Sequence, residues 1–119
     1  MTTLRASLGR RGERVAARFL RRRGYRILHR NWRCPSGEID LVCADGATLV
    51  FVEVKSRSGG GLVPPEAGVG RLKRRKLERL ALHYLAARAL VEVDWRFDVV
   101  SVTLGRWRRP AVRIFQGAF

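Results

Sequence analysis

Residues 37–57 read GEIDLVCADGATLVFVEVKSR. Two runs rich in apolar and β-branched residues flank Asp45-Gly46, a dipeptide typical of a tight hairpin turn because glycine accepts the positive φ that such a turn requires. The second run, Leu49 to Val54, is too apolar to lie on an open sheet surface. The stretch therefore predicts a β-hairpin that turns at Asp45-Gly46 and is covered by a helix.

Acidic residues interrupt both strands of this hairpin. With the two-residue turn at that dipeptide, Asp40 pairs with Phe51. Glu53 then lies one diagonal step from Asp40 on the same face, directly opposite Glu38. Side-chain alternation therefore predicts three converging carboxylates.

Like charges on adjacent strands repel each other unless a cation joins them. Mg²⁺, with Mn²⁺ as a substitute, prefers oxygen ligands and can activate water for phosphodiester hydrolysis. The pattern predicts a metal site at Asp40 and Glu53, with Glu38 as a further ligand or as a residue that only orients the loop. The alternative is a set of charges on a solvent-facing strand, paired with some of the many cations.

Lys55 follows Glu53 by two residues and therefore projects from the same face of the strand. There it would position and neutralise the attacking water or the scissile phosphate. Neighbouring carboxylates favour its charged form, which argues against a free general base. Taken alone, Lys55 is also an ordinary edge-strand lysine.

The composition is strongly basic, with 25 Lys and Arg against 10 Asp and Glu and a formal net charge of +15. Such a balance favours a polyanionic partner. No apolar run approaches the ~18 residues of a spanning helix, so nucleic acid is favoured over a membrane. The expected contacts are Arg57, Lys73, Arg74 and Lys76, although a solvated basic face or a biased base composition of the source explains the same residues.

The periodicity of the remaining chain predicts the other elements. They are a helix over 4–20, a strand over 25–32, a loop over 58–65, a second helix that begins between Glu66 and Arg71, a strand over 97–104 and a short fifth strand over 112–115. The order predicts one α/β domain over residues 1–119, a sandwich with helices flanking a mixed central sheet.

Several reactive residues receive structural assignments. Cys34 and Cys43 lack the spacing of a zinc site, and no secretory signal is recognised, so reduced thiols in the cytoplasm are expected. Asp98 lies beside Arg96 on an apolar strand, and the two most simply neutralise each other. Neither cysteine nor Asp98 is therefore expected to take part in chemistry.

Two motifs, Gly-Glu-Ile-Asp-Leu-Val at 37–42 and Phe-Val-Glu-Val-Lys-Ser-Arg at 51–57, resemble those of the YraN family of uncharacterised bacterial proteins. The likeness spans nearly the whole chain and includes Gly12-Glu13, Arg30-Asn31, Lys73 with Lys76, and residues 96–100. That family is similar in turn to the PD-(D/E)XK, or restriction-endonuclease-like, superfamily, which includes archaeal Holliday-junction resolvases. Ile39 stands where the superfamily motif has proline. The resemblance implies a restriction-endonuclease-like sandwich.

The resemblance also implies an active site that uses a glutamate of the first helix, a strand aspartate and a Glu-x-Lys motif. By motif position these roles fall on Glu13, Asp40, Glu53 and Lys55, and Glu13 becomes a further metal ligand. An ordinary ion pair with Arg10, one helical turn away, is the alternative for Glu13.

Three functions remain open on these grounds. The first is a metal-dependent endonuclease that hydrolyses phosphodiester bonds in DNA, with branched DNA as a candidate substrate and DNA favoured over RNA. The second is a nucleic-acid-binding module that keeps the nuclease fold without turnover. The third, a basic RNA-associated or ribosome-associated protein, leaves the clustered acids unexplained. A resolvase-like protein would also form a homodimer, so that two sites meet two strands.

Overall fold

The computed structural model describes residues 4–58, 71–105 and 109–119, with side chains from Leu8 and Leu72 onward in the two helices. In chain order the elements are α1 (Leu4–Arg22), β1 (Arg26–Cys34), β2 (Gly37–Asp45), β3 (Thr48–Ser58), α2 (Arg71–Ala87), β4 (Trp95–Leu104) and β5 (Ala111–Phe115). This is the predicted succession, including the fifth strand. Most of the predicted loop over 58–65, and the residues before Arg71 where the second helix was expected to begin, lie outside the described residues.

The five strands form one mixed sheet in the order β1-β2-β3-β4-β5. Strands β1, β2 and β3 are antiparallel, β3 and β4 pair in parallel, and β5 returns antiparallel to β4. A parallel pair needs a crossover longer than a hairpin loop, and α2 lies in that connection. The predicted α/β sandwich, a mixed sheet flanked by two helices, is confirmed.

The helices cover opposite faces of the sheet. The α1 cluster contains Val50 and Val52 of β3, whereas the α2 cluster contains Phe51 between them. Both faces of β3 are therefore buried, which explains its continuous apolar run. In the described part of the chain, neither helix combines the length and the apolar character that crossing a membrane requires.

The β2–β3 hairpin turns one residue later than predicted. Asp45 pairs with Thr48, so Gly46-Ala47 form the turn, and Gly46 has a positive φ of 60°. The Asp45 carboxylate accepts a hydrogen bond of 2.8 Å from the guanidinium of Arg96 in β4. This long-range contact holds Asp45 at the end of the ladder, although its local sequence favours a turn position.

Asp98 is a completely buried acid in β4 whose charge is met by several donors. Its carboxylate accepts hydrogen bonds from the Tyr25 hydroxyl at 2.8 Å, the Arg96 guanidinium at 3.0 Å and the Gly117 amide at 3.0 Å. Tyr25 follows α1 and Gly117 follows β5, so one carboxylate links the end of a helix, a central strand and the C-terminal segment. This is the structural role that the sequence predicted.

Replacing Asp98 by alanine should lower the free energy of unfolding by about 3–5 kcal/mol, because the buried donors lose their shared acceptor. Urea denaturation measures the change. Asp45→Ala removes the other carboxylate that pairs with Arg96, at a side chain that is 39% exposed, and should cost less than about 1 kcal/mol. Equal losses in the two variants would contradict the structural role of Asp98.

Candidate metal centre

The register of the β2–β3 hairpin differs by two residues from the predicted one. Phe51 pairs with Val42, so the predicted pairing of Phe51 with Asp40 is wrong. The last regular pair is Leu41 with Val52, so the next residues in the same register are Asp40 and Glu53. The prediction had placed Glu38 opposite Glu53. The parity is unchanged because the turn still has two residues.

Strands β2 and β3 separate at Asp40. Regular pairing ends at Leu41 and Val52, and beyond it the Val54 amide donates a hydrogen bond of 2.8 Å to Oδ2 of Asp40. A carboxylate acceptor keeps this amide satisfied where the ladder stops. The separation leaves room for side chains from other elements.

The side-chain alternation of β1 and β2 is interrupted at the same level. In β2, Ile39 and Val42 both pack in the α2 cluster although they are three residues apart. In β1, His29 and Trp32 both contact the ring of Tyr84, with centroid distances of 5.6 and 5.2 Å. Strict alternation would place residues three apart on opposite faces, so both strands reverse their facing within these intervals.

Asn31 lies at the centre of this interruption. Its neighbours Arg30 and Trp32 pair with Leu41 and Ile39, the residues on either side of Asp40. Its φ of 51° falls in the left-handed region. Asparagine tolerates that region better than most residues with a side chain. The reversal turns Asp40 away from the face occupied by Val42.

Three carboxylates meet at the separation of the strands. Glu13 of α1 and Glu38 and Asp40 of β2 each offer an oxygen, and these oxygens lie within 4.8 Å of one another. Asp40 and Glu13 also line a cavity of about 360 Å³ together with Glu53 of β3. Of the four residues predicted as metal ligands, the structure groups the ligand oxygens of Glu13, Glu38 and Asp40, and it places Glu53 in the cavity beside Glu13 and Asp40 but outside that group. We call Glu13, Glu38, Asp40 and Glu53 the carboxylate cluster.

Gly12 lets α1 approach β3 closely enough to deliver Glu13. Gly12 is buried, and a Cβ at this position would lie 1.7 Å from Oγ and 2.7 Å from Cβ of Ser56. Gly9, on the same helix, has no atom within 4 Å of such a Cβ. The contact at Gly12 therefore sets the position of the neighbouring glutamate.

The surroundings of the Asp40 carboxyl make its ionisation unfavourable. Burial, and after it the negative charge of Glu53, raises the pKa of Asp40 to about 7. Glu13 and Glu38 add to the rise, and the Val54 amide opposes it. Burial and the neighbouring carboxylates thus both disfavour the ionised form of Asp40.

Lys73 of α2 brings one cation to the cluster. Its Nζ lies 3.1 Å from Oε1 of Glu53, whose side chain is 16% exposed. Burial and the adjacent Lys73 lower the pKa of Lys55. Burial also acts to lower the pKa of Lys73, but the contacts with Lys55 and Glu53 outweigh it and raise this pKa. Burial and Lys73 thus outweigh the neighbouring carboxylates, which were expected from the sequence to favour the charged form of Lys55.

The other predicted nucleic-acid contacts lie on β3 and α2. Arg57 is half-buried near the end of β3, and Lys76 is exposed on α2. Arg74 is exposed as well, with its guanidinium carbon 5.4 Å from the centroid of the Phe119 ring. The fourth residue, Lys73, is turned toward the carboxylate cluster and is only 35% exposed.

The alternatives for the two outer glutamates are resolved in part. Glu38 forms an ion pair of 3.2 Å with Arg33, whose side chain is 78% exposed, and such surface pairs contribute little. Its carboxylate nevertheless belongs to the cluster. Among the side chains that the structure describes, Glu13 and Arg10 form no ion pair.

Sequence reasoning gave no role at this site to Gly12 or Asn31, and it placed Lys73 among the phosphate contacts. The available signals were a glycine inside a helix-periodic segment and an asparagine inside a strand, both of which indicate local backbone exceptions. Neither residue type indicates which neighbouring helix or strand makes the unusual backbone necessary.

The fold and the cavity define a class of small α/β proteins in which a mixed sheet carries clustered carboxylates where a hairpin separates. The chain matches the model of the family described as Uncharacterised protein family UPF0102 over residues 12–102, and it belongs to that family. The matched region contains the whole carboxylate cluster. Membership confirms the resemblance to the YraN family.

Relatives in this family match along almost the full chain. The chain is 48% identical to the UPF0102 protein of Moorella thermoacetica, with 100% of both chains covered. It is 49% identical to that of Anaeromyxobacter dehalogenans, covering 97% of this chain and 85% of the relative. It is 43% identical to that of Geobacter metallireducens, covering 95% and 92%.

Gly12→Ala should lower the free energy of unfolding by about 1–3 kcal/mol, because the added methyl group forces α1 away from Ser56. Gly9→Ala is the matched control on the same helix and should stabilise the protein by up to about 1 kcal/mol, since alanine is the better helix former. Urea denaturation of both variants measures the difference. A stabilising effect of Gly12→Ala would show that α1 does not depend on this close approach.

Asp40→Asn should raise the stability of the metal-free protein relative to wild type at about pH 8 but not at about pH 4. The folded protein holds the Asp40 proton up to about pH 7, whereas the unfolded chain releases it near its ordinary pKa of about 3.9. This group therefore contributes stability that is present below about pH 4 and is lost as the pH rises through about 7. Asparagine removes that loss.

The measurement is urea denaturation in EDTA at both pH values, with Glu78→Gln on the exposed face of α2 as a control for loss of one acidic group. If Asp40→Asn shifts the stability equally at the two pH values, the carboxyl does not titrate as described.

Proposed function

We propose that this protein is a metal-dependent endonuclease that hydrolyses phosphodiester bonds in DNA. The observation that carries the proposal is the meeting of Glu13, Glu38 and Asp40, with ligand oxygens within 4.8 Å of one another, at the mouth of a separated hairpin. Glu53, Lys55 and Lys73 complete the surroundings. Such an arrangement serves the chemistry of a phosphodiester better than that of a neutral substrate.

The residues fit a hard divalent cation. Mg²⁺, or Mn²⁺ in its place, uses few protein carboxylates and keeps positions for water and phosphate oxygens. The cluster consists of carboxylates only, which argues against zinc. Burial and the charge of Glu53 raise the pKa of Asp40 to about 7, and a cation bound at the cluster would favour its ionised form. Asp40, Glu13 and Glu38 would hold the ion, together with Glu53 once it leaves Lys73.

A bound Mg²⁺ supplies charge neutralisation and Lewis acidity at the phosphodiester. The protein's own groups supply orientation. The Val54 amide holds the Asp40 carboxylate by its 2.8 Å hydrogen bond. Lys55 Nζ, next to the cluster, would donate a hydrogen bond to a phosphate oxygen or to the attacking water, and Lys73 would neutralise Glu53 until substrate arrives.

The basic surroundings support a nucleic-acid substrate. A net charge of +15 attracts a polyanion at long range, and Arg57, Arg74 and Lys76 are proposed to contact phosphates beside the cluster. Phosphate contacts position the substrate without reading its sequence. We include in the proposal a homodimer, in which two such sites would act on two strands.

A binding module without turnover is the second candidate. It is favoured by the ion pair between Lys73 and Glu53, in which a protein cation already neutralises one proposed metal ligand. In that case the carboxylate cluster has only a structural role, and the basic side chains bind nucleic acid.

Asp40→Asn and Glu53→Gln should each lower the cleavage rate by about 100-fold or more while nucleic-acid binding persists, because the ion loses anionic ligands and the basic surface stays intact. Lys55→Ala should keep metal binding and lose most of the rate, because the phosphate is no longer positioned. Glu78→Gln on the exposed face of α2 is the charge-matched control and should cleave like wild type.

The assay uses duplex, single-stranded, flapped and four-way-junction DNA and RNA, in Mg²⁺ or Mn²⁺, with EDTA as the blank. Wild-type protein that binds these substrates and cuts none of them identifies the binding module. A Glu53→Gln protein that cuts as fast as wild type would leave the nuclease real and the assigned site wrong.

A further inference from the structure

A second concave surface lies away from the carboxylate cluster, between α1 and the segment that leads into β5. It is a groove of about 800 Å³, against about 360 Å³ for the metal cavity. No acidic residue is among the described residues that line it. Five arginines line it, and we call it the arginine groove: Arg11, Arg14, Arg18, Arg22 and Arg109.

Helical spacing aligns four of these arginines into one row. Arg11, Arg14, Arg18 and Arg22 recur at intervals of three and four residues, which are neighbouring positions on a helix surface. At a rise of about 1.5 Å per residue, the row extends for about 16 Å. Glu13 lies about 100° around the helix from Arg14, so α1 separates the groove from the metal cavity.

The charges of the groove have no protein counterpart in the described structure. All five arginines are exposed, and none forms an ion pair with a described acid. By contrast, Arg33 and Arg96 are paired with carboxylates elsewhere in the molecule. Five like charges around one concave surface attract a polyanion strongly, and that polyanion would relieve their mutual repulsion.

We propose that the arginine groove binds the sugar-phosphate backbone of a nucleic-acid strand. The inference rests on the proposed function only for the choice of polyanion, because the groove shares no lining residue with the metal cavity. Guanidinium groups bind phosphate through paired hydrogen bonds. Along the axis of a duplex one strand presents a phosphate about every 3.4 Å, so a row of about 16 Å that lies parallel to this axis spans roughly five of them.

The walls of the groove suit a nucleic-acid strand better than a membrane or an acidic peptide. Phe19, Val15, Pro110 and Val112 give it an apolar floor on which sugars or unstacked bases can pack. Phe19 is half-buried, so it is placed to contact a bound strand and not to insert into a bilayer. An acidic peptide would match the charge but offers no sugars or bases to this apolar floor.

The test compares Arg14→Gln/Arg18→Gln/Arg22→Gln with a control that removes the same charge outside the groove. The control is Arg26→Gln/Arg30→Gln/Arg79→Gln, three exposed residues that do not line the groove. Binding of labelled single-stranded DNA, RNA and duplex DNA of about 20 nucleotides is measured in EDTA as a function of salt. Absence of metal keeps the measurement independent of cleavage.

The groove variant should bind at least 10-fold more weakly, and the slope of log affinity against log salt should shrink by about 2 for single strands or about 2.7 for duplex, the loss of three phosphate contacts. The control should change the slope by less than about 1. Arg14→Lys/Arg18→Lys/Arg22→Lys should keep most of the slope, because the charge remains.

An unchanged slope in the groove variant, an equal loss in the control, or no binding by wild type overturns the proposal. Equal, groove-dependent binding of polyglutamate identifies an acidic protein partner instead, and equal binding of phosphatidylserine vesicles identifies a membrane surface. Absence of wild-type binding would also count against the proposed endonuclease, whereas the other results do not bear on the carboxylate cluster. Conversely, an Asp40→Asn protein that loses cleavage but still binds nucleic acid through the groove would show that the two sites act independently.

Discussion

The hydrogen bond from the Val54 amide to the Asp40 carboxylate is the contact on which the site depends. It stands where the regular pairing of β2 and β3 ends, so the strands part without leaving this amide unsatisfied. The same bond favours the ionised carboxylate, whereas burial and Glu53 favour the protonated one. The opening admits Glu13 from α1, and Gly12 makes that approach sterically feasible. The end of regular pairing between β2 and β3 thus leaves a cavity lined by acidic side chains.

Local sequence was sufficient for the elements but not for the hairpin turn. The apolar run of β3 predicted burial correctly, because a strand covered on both faces needs apolar residues at every position. The turn was misplaced by one residue because Asp45-Gly46 is a strong local signal, whereas Asp45 in the structure ends the ladder and pairs with Arg96, 51 residues away. Local turn propensity contains no information about that partner.

The candidate site was predicted residue by residue, but partly through the wrong geometry. Asp40 and Glu53 were brought together by regular alternation and a register that the structure does not follow. The observed arrangement depends on a reversal in two neighbouring strands, at the left-handed Asn31 and across from it. Such a paired reversal has no periodic signature in either strand. Glu13 came from the family motif, since helical periodicity alone could not distinguish a ligand from a surface acid.

The two surfaces of α1 carry opposite charges: Glu13 faces the carboxylate cluster, and the arginine row lines the arginine groove. Although the chain carries 25 Lys and Arg, the ion pairs that reach the carboxylate cluster from described residues are those of Arg33 and Lys73. The arginine row of α1 points away from Glu13, so it does not pair with the acids of the cluster. If arginines and acids were mixed on one face, each would satisfy the other, and neither a cation nor a polyanion would gain by binding. One amphipathic helix therefore keeps both sets of charges available.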